Sequence, residues 1–583
     1  MSDVPKRHKN LNVRKGKIME KKNEFVKNLI SKMTLEQKVG AVMTLAFNGV
    51  VPKKHTYEYI TKYHCGGLRV TPAYRGTMGY IDPRSGNVVK KSYNSIKYVN
   101  APLCSASDYK AVLSEFQQVA KSRPLSIPLH FSFDQEGGMT SNFFFGGASI
   151  FPKPMGLRAT NDPQMAYLVA QANGEMCKAV GFNWVHSPVL DINTDPRNPE
   201  ICTRAYSDSA EEVALYAAET CRGYKDAGMI TTGKHFPGRG ESAVDAHYNV
   251  PVIDVDEKTL WERELLPYRV LIEQDLLPSI MIAHSIFPAI DPDDIATVSK
   301  KVITGLLREK LGFEGVITTD SMTMGGVSRR YGVANACALA LEAGADIVLM
   351  KAENHLVEET YNAIMDFVKS GRIPEEELNN KVYRILNMKY NYGLFHNYAD
   401  ADVVPEEVLK KHAITDLAKD VAKRSVLICR DKTGFLPLKK EESILVIEQK
   451  IGHFNDIYWH SGMLYENCLK YGKNVDYLET AFRWDEEDLE RIGSVIDKYD
   501  KVVITNYYSR DQLCNIEELK ELLKKQKNII VVTNTPYEEI SIPDNAESVV
   551  LTFAKSPNNA MVTAGVLFGE VVPEAVWPVS YHA

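Results

Sequence analysis

Residues 229–251 read MITTGKHFPGRGESAVDAHYNVP. Met229–His235 is a short β-rich run closed by a Lys–His pair, which predicts a strand ending in two polar side chains. Phe236-Pro237-Gly238-Arg239-Gly240 cannot form a helix interior, and its proline and glycines around a charge predict a loop that moves or approaches a ligand closely. Asp245-Ala246-His247 follows. An Asp two residues before a His can hold one ring nitrogen and leave the other for proton transfer. Taken alone, such a pair is more often just a solvated histidine in a loop, and the surrounding segment is what gives it weight.

The same strand-then-polar pattern recurs outward from this stretch. Candidate strands are Gly67–Val70, Leu129–Asp134, Phe182–Asp191, Met229–His235, Ser279–His284, Gly315–Asp320 and Asp346–Met350. Amphipathic segments such as Gln164–Ala179, Glu211–Ala227 and Ala334–Ala343 separate them. Regular alternation of this kind predicts parallel βαβ units, and seven strands before residue 351 predict an α/β fold with an N-terminal TIM-type (β/α) barrel, complete or short of one strand. Polar residues gather at the strand ends: Asp134–Glu136, Asp191, Lys234–His235, His284 and Asp320. In a barrel these positions converge on one rim, where the βα loops build a site.

Residues 24–372 are therefore assigned to the barrel, 373–424 to a charged helical linker, and 425–583 to a C-terminal α/β sandwich domain. The last has strand-like runs at Ser425–Cys429, Ser443–Glu448, Lys501–Asn506, Asn528–Thr533 and Ser548–Ala554, and no catalytic-looking cluster. Thr71–Pro102, rich in Tyr, Gly, Pro and Ser, is long for a βα loop and is either a pocket-shaping insertion, as its place after a strand end favours, or a surface excursion. Residues 1–23 form a basic arm with eight Lys and Arg by residue 22 and no apolar stretch behind them, so a secretory signal is not expected.

Composition narrows the function classes. The chain has 583 residues with 69 basic and 75 acidic side chains, a net charge of −6, which argues against coating nucleic acid. No stretch is long and apolar enough to span a membrane. The nine cysteines are scattered without CxxC spacing, and buried, reduced thiols in a cytoplasmic protein are expected. There is no phosphate-cradling or dinucleotide loop, and the histidines lack metal-ligand spacing, so neither an organic cofactor nor a metal is expected.

Asp320 ends the apolar run Val316-Ile317-Thr318-Thr319. A carboxylate there is costly unless paired or functional, although capping of the next helix is an equal reading. Asp134, Asp191 and Arg204 either stabilise the rim as ion pairs or, with Lys and His, bind sugar hydroxyls through charged donors and acceptors.

KHFPGRGESAVDAH, ITTDSMTM, DQEGG, SPVLDIN and LISKMTLEQKVGAVM together resemble glycoside hydrolase family 3, in its β-N-acetylhexosaminidase branch, and LFGEVVPEAVWPVS is similar to the end of the family's second domain. The resemblance implies Asp320 as nucleophile and His247, held by Asp245, as acid/base. It implies Lys234, His235, Asp134 and Arg204 as sugar ligands, with Asp191, Arg239 and Met322 as further pocket members. The implied activity is that of an exo-acting retaining β-N-acetylglucosaminidase on a small carbohydrate or glycoconjugate. Another β-hexoside (GalNAc or a glucoside), phosphorolysis, and a catalytically silent sugar-binding protein are the alternatives. Two departures bear on the sugar: Met139 and Asn142 stand where arginines are expected, and Arg239 replaces a second His in the loop. An arginine is a fixed cation and no proton shuttle.

Overall fold

The computed structural model describes residues 22–72, 104–247, 249–396, 402–450, 460–510 and 514–580, with the backbone of a short hairpin pairing Gly79–Ile81 to Val88–Lys90. Residues 1–21 of the arm and nearly all of the 71–102 insertion lie outside the described residues.

Eight parallel strands close a barrel: β1 (Met43–Asn48), β2 (Gly67–Thr71), β3 (His130–Phe133), β4 (Trp184–Val185), β5 (Ile230–Phe236), β6 (Ser279–Ile282), β7 (Val316–Ser321) and β8 (Ile347–Leu349). Thr44 pairs with both Gly67 and Leu349, so β1 is the strand that shuts the ring. These strands are buried on both faces, which is why they read as apolar runs and not as alternating ones. Sequence patterning missed β1, because the helix Leu35–Ala41, opened by a Thr34–Gln37 capping box, passes into the strand through Val42 alone, with no turn residue between. The run expected at Phe182–Asp191 is regular strand only at Trp184–Val185; beyond it Val189 makes an isolated bridge to Lys234.

The helix Glu375–Asn391, inside the stretch read as a linker, packs Leu378, Val382, Ile385 and Leu386 into the barrel core. Its buried Lys389 donates to the carbonyls of Gly66 (2.6 Å) and Pro128 (2.7 Å).

The second unit is a six-stranded sheet of β9 (Leu427–Asp431), β10 (Ser443–Gln449), β11 (Asn474–Thr480), β12 (Lys501–Thr505), β13 (Ile529–Thr533) and β14 (Ser548–Leu551), in the order β9-β14-β13-β12-β10-β11. Only the β9–β14 pair is antiparallel. Period-two alternation sends Ile444, Val446, Val503 and Ile530 to one core and Leu445, Ile447, Val502 and Val531 to the other, with helices covering both faces. The strand β11 escaped the sequence reading because it is a half-exposed edge carrying Asp476 and Glu479. The unit sits on the barrel's rim: Tyr508, Tyr537, Leu551 and Phe553 pack with Met155, Ala159 and Cys202, and Tyr508 Oη donates to Pro199 O (2.6 Å).

At the start of β8 the fully buried Asp346 ties three elements together. It accepts from the Ile317 amide (2.8 Å), from Arg384 Nε (2.8 Å) and from Arg308, whose NH1 also reaches the carbonyls of Phe313 and Gly315. Asp346→Ala leaves two guanidinium groups and an amide without their acceptor. The expected loss is about 3–5 kcal/mol of unfolding free energy, read from urea denaturation. A loss below ~1 kcal/mol would mean that water replaces the carboxylate, and the ion pair would not hold the fold there.

Candidate active site

A cavity of about 140 Å³ opens at the C-terminal ends of the barrel strands. It is lined by Asp134, Lys234, His235, Arg204, Arg239, His247 and Asp320, which sequence reasoning singled out from four separate segments. Three other candidates do not line it: Asp245, which stands behind His247, Asp191 and Met322. Asp191 has no exposed surface and sits behind His235, so it cannot touch a ligand directly. Met322 is equally buried; its amide donates to Leu349 O (2.9 Å) and its side chain packs in the barrel core, because the chain leaves the strand after Ser321.

Asp320 is the penultimate residue of β7, with Oδ1 accepting the Ser321 amide (2.7 Å). Its Oδ2 faces Arg239 NH2 at 3.6 Å and His235 Nε2 at 4.0 Å. Burial pushes its pKa up, but the cation of Arg239, with His284, Lys351 and His247, outweighs that and holds the carboxyl well below the usual range. It is ionised at any working pH.

The FPGRG loop is shaped to place Arg239. Gly238 has φ +127°, and a Cβ on Gly240 would lie 1.5 Å from Ile192 O, so neither position accepts a side chain without moving backbone. Asn198 Nδ2 anchors the carbonyls of Arg239 (3.1 Å) and Gly240 (2.9 Å), and Asp191 accepts the Arg239 amide (2.9 Å). The guanidinium is 2 % exposed and pairs with Glu200 at 2.8 Å.

His247 is held at Nδ1 by Asp245 Oδ1 (2.9 Å), which also accepts the His247 amide (2.8 Å). Glu200 Oε1 lies 3.3 Å from the same nitrogen, and Glu200 Oε2 accepts the Ala246 amide (3.1 Å). Nε2 is left for a ligand. Among the described residues, Glu200, Asp245 and His247 also have donor atoms close enough to surround a metal ion. Arg239 at 2.8 Å and Arg510 at 3.9 Å already neutralise Glu200, however, so the donor set fits a charge network orienting an imidazole better than a cation site.

On the opposite wall Asp134 is bound by Lys234 (2.9 Å) and Arg69, and Glu136 by Lys234 and both donors of Arg204 (2.7 and 3.0 Å). Burial pushes Glu136 up, yet Arg204 and Lys234 bring it down to about 2. His235 Nδ1 lies 2.6 Å from Asp191 Oδ2. Burial, then Arg239, Arg204 and Lys234, keep this imidazole neutral, with Nδ1 carrying the proton toward Asp191 and Nε2 facing the cavity.

Sequence reasoning missed four contributors. Arg69 was visible as a lone charge inside an apolar strand, and Lys351 as a strand-end cation two residues past β8. Glu200, in a loop without a pattern, carried no signal. The second domain, in which the sequence shows no catalytic-looking cluster, supplies Tyr508, Ser509, Arg510, Asn534 and Lys555 to the cavity wall. Asn142 accepts from Arg69 NH2 (2.9 Å) and from the Asp134 amide (2.8 Å), whereas the side chain of Met139 lies outside the described residues.

Fold and rim together define a (β/α)₈-barrel protein whose C-terminal face gathers ionised carboxylates, a carboxylate-held imidazole and paired cations in one cavity. The chain belongs to glycosyl hydrolase family 3: the family's N-terminal domain matches residues 34–388. It is 29% identical over 299 residues to beta-hexosaminidase A of Pseudoalteromonas piscicida, covering 48% of this chain and 50% of that protein. It is 28% identical over 350 residues to a beta-N-acetylglucosaminidase/beta-glucosidase of Cellulomonas fimi, covering 58% and 60%. The chain thus spans between half and two thirds of the length of these relatives. A solved family 3 beta-N-acetylglucosaminidase from Paenibacillus sp. str. FPU-7 superimposes with a TM-score of 0.82 at 28% identity, covering 94% of this chain and 99% of that one.

Replacing Arg239 tests the electrostatics of the rim. Arg239→Gln removes the cation that opposes protonation of Asp320, so the carboxyl's pKa rises. The acid limb of the kcat/KM profile moves to higher pH than in the wild type. Arg239→Lys, which keeps the charge, restores most of the acid side. An unmoved acid limb in Arg239→Gln would assign it to another group.

Proposed function

We propose that the protein is an exo-acting retaining β-N-acetylglucosaminidase that releases terminal β-linked GlcNAc. The observation that carries the reading is the shared cavity of ionised Asp320 and the Asp245-held imidazole of His247. The names of the relatives and of the Paenibacillus structure support the sugar. A cavity of about 140 Å³ at a barrel mouth suits the end of a chain better than its middle.

In the first step Asp320 attacks the anomeric carbon while protonated His247 gives its Nε2 proton to the leaving oxygen, forming a glycosyl-enzyme through an oxocarbenium-like state. In the second, neutral His247 takes a proton from water as the water oxygen bonds to the anomeric carbon, and the Asp320 carboxylate is released. Asp245 keeps Nδ1 protonated and so keeps Nε2 the exchanging nitrogen. Asp134, Lys234, His235 and Arg204 take the hydroxyls. Arg69, fixed by Asn142, supplies from β2 a cation near where the family's missing arginines would reach.

A second β-hexoside reading is favoured by one observation, the dual name of the Cellulomonas fimi relative together with Asn142 in place of an arginine. A cytoplasmic setting is supported by nine cysteines that are all unpaired thiols. Among the described residues no helix is long and apolar enough to cross a membrane.

The test is hydrolysis of aryl β-glycosides of GlcNAc, GalNAc, glucose and xylose. GlcNAc turnover is expected to lead, to vanish in Asp320→Ala, and to fall about 10²–10⁴-fold in His247→Ala, least for the best leaving groups. Preference for glucose would move the reading to the second hexoside. Full activity of His247→Ala on natural and aryl glycosides alike would remove the acid/base assignment.

A further inference from the structure

The cavity is far more cationic than the chain that forms it. Among the described residues, eight lysines and arginines line it against four carboxylates, in a protein of net charge −6. Most of these cations have a carboxylate partner at the rim. Lys153 and Lys555 do not: among the described residues no carboxylate lies within 4.0 Å of either ammonium. Both sit at the seam between barrel and second domain, where the Lys153 amide donates to Phe553 O at 3.3 Å and Lys555 follows two residues later.

Lys555 is 3 % exposed and its Nζ has no hydrogen-bond partner. Its contacts are ring faces, Phe482 at 3.9 Å and Tyr507 at 4.9 Å. A buried ammonium held only by aromatic faces is costly and responds strongly to any anion that reaches it. Burial lowers the pKa of both lysines, and the nearby Lys153 lowers that of Lys555 further. Arg510 completes the wall, and its guanidinium stands 3.8 Å from Asp245 and 3.9 Å from Glu200. The patch therefore adjoins the carboxylates that hold His247 and shares one cavity with its ring.

We propose that Lys153, Arg510 and Lys555 form an oxyanion subsite, for phosphate or carboxylate, beside His247. The proposal rests on the glycosidase reading for its place in the reaction. The anion is carried either by the leaving group or by free phosphate acting as acceptor. In the second case a phosphate oxygen bonds to the anomeric carbon as the ester bond to Asp320 breaks, and the bonding pair returns to Asp320 as carboxylate. The four rotatable bonds of each lysine let its ammonium turn from the rings, or from solvent, to the arriving oxygens.

Two measurements on the full chain test this. Inorganic phosphate titrated calorimetrically is expected to bind the wild type and to bind Lys153→Gln and Lys555→Gln about tenfold more weakly or less, the scale of one charge-assisted hydrogen bond. Lys555→Met, which preserves the stem against Phe482 and Tyr507, replaces Lys555→Gln if the latter does not fold. In parallel, kcat/KM is compared for a neutral aryl β-GlcNAc and for one with a carboxylate on the aryl group. The anionic-to-neutral ratio is expected to fall about tenfold in each variant. Sugar 1-phosphate formed in the presence of phosphate assigns the anion to the acceptor; competition of phosphate with the anionic glycoside alone assigns it to the leaving group. Phosphate affinity and substrate ratio both unchanged in the variants would overturn the subsite. Phosphate binding that depends on the lysines, with no turnover of any glycoside, would instead overturn the glycosidase reading and leave the subsite standing.

Discussion

The rim depends on one buried cation. Arg239 brings a full positive charge to a position 2 % exposed, where it can persist only among carboxylates. The loop that carries it is constrained throughout, Gly238 and Gly240 because nothing larger fits, Asn198 and Asp191 because they fix the loop's backbone. Paired with Glu200 and facing Asp320 through the same NH2 nitrogen, the guanidinium keeps both ionised. Glu200 in turn stands at the imidazole of His247. The strand-end carboxylate and the loop imidazole, far apart in sequence, are thereby joined by one chain of charge, and a change at Arg239 is felt at both.

Much of this was legible along the chain, for identifiable reasons. Parallel strands buried on both faces announce themselves as apolar runs, and the barrel puts whatever polar residue follows each run on a common rim; Asp134, Lys234, His235 and Asp320 reach the cavity by that rule. The rule failed where the backbone departs from a regular strand. Asp191 follows a stretch with only two residues of true strand, and it ends behind His235 where it orients the ring without meeting a ligand. Met322 lies past the end of β7 and turns into the core. Glu200 and the second-domain wall were illegible for a different reason. Their partners lie in other segments or in the other unit, as when Tyr508 reaches Pro199 across 309 residues, and no local spacing encodes such a meeting.

The second domain's part follows from where it is seated. Its aromatic residues bury against Met155, Ala159 and Cys202, next to the loop bearing Glu200 and Arg204, and the chain end returns to the barrel through Val576, whose amide donates to Ala159 O at 2.8 Å. Anchored at both places, the unit cannot be displaced without disturbing the segment from Pro199 to Arg204. Its loops bring Arg510 and Lys555 to the cavity, so the barrel's site is closed on one side by another domain's cations. Packing and electrostatics are in this sense the same contact.

The sign of that charge matters for chemistry. When both reacting groups are carboxyls, negative charge accumulates at the anomeric centre and an anionic partner is repelled. On the proposed mechanism the group beside the leaving oxygen is the imidazole of His247, and Arg239 in the same loop is a permanent cation that shares Glu200 with it. Four carboxylates against eight lysines and arginines leave the cavity positive even before His247 is protonated. An oxyanion entering such a site gains what water alone cannot return to a buried ammonium, and the gain is largest beside Lys555, the cation with least to lose. On the proposed reading, a histidine in place of a carboxylic acid and an arginine in place of a histidine bear on the charge of the molecules that suit the cavity as well as on proton transfer.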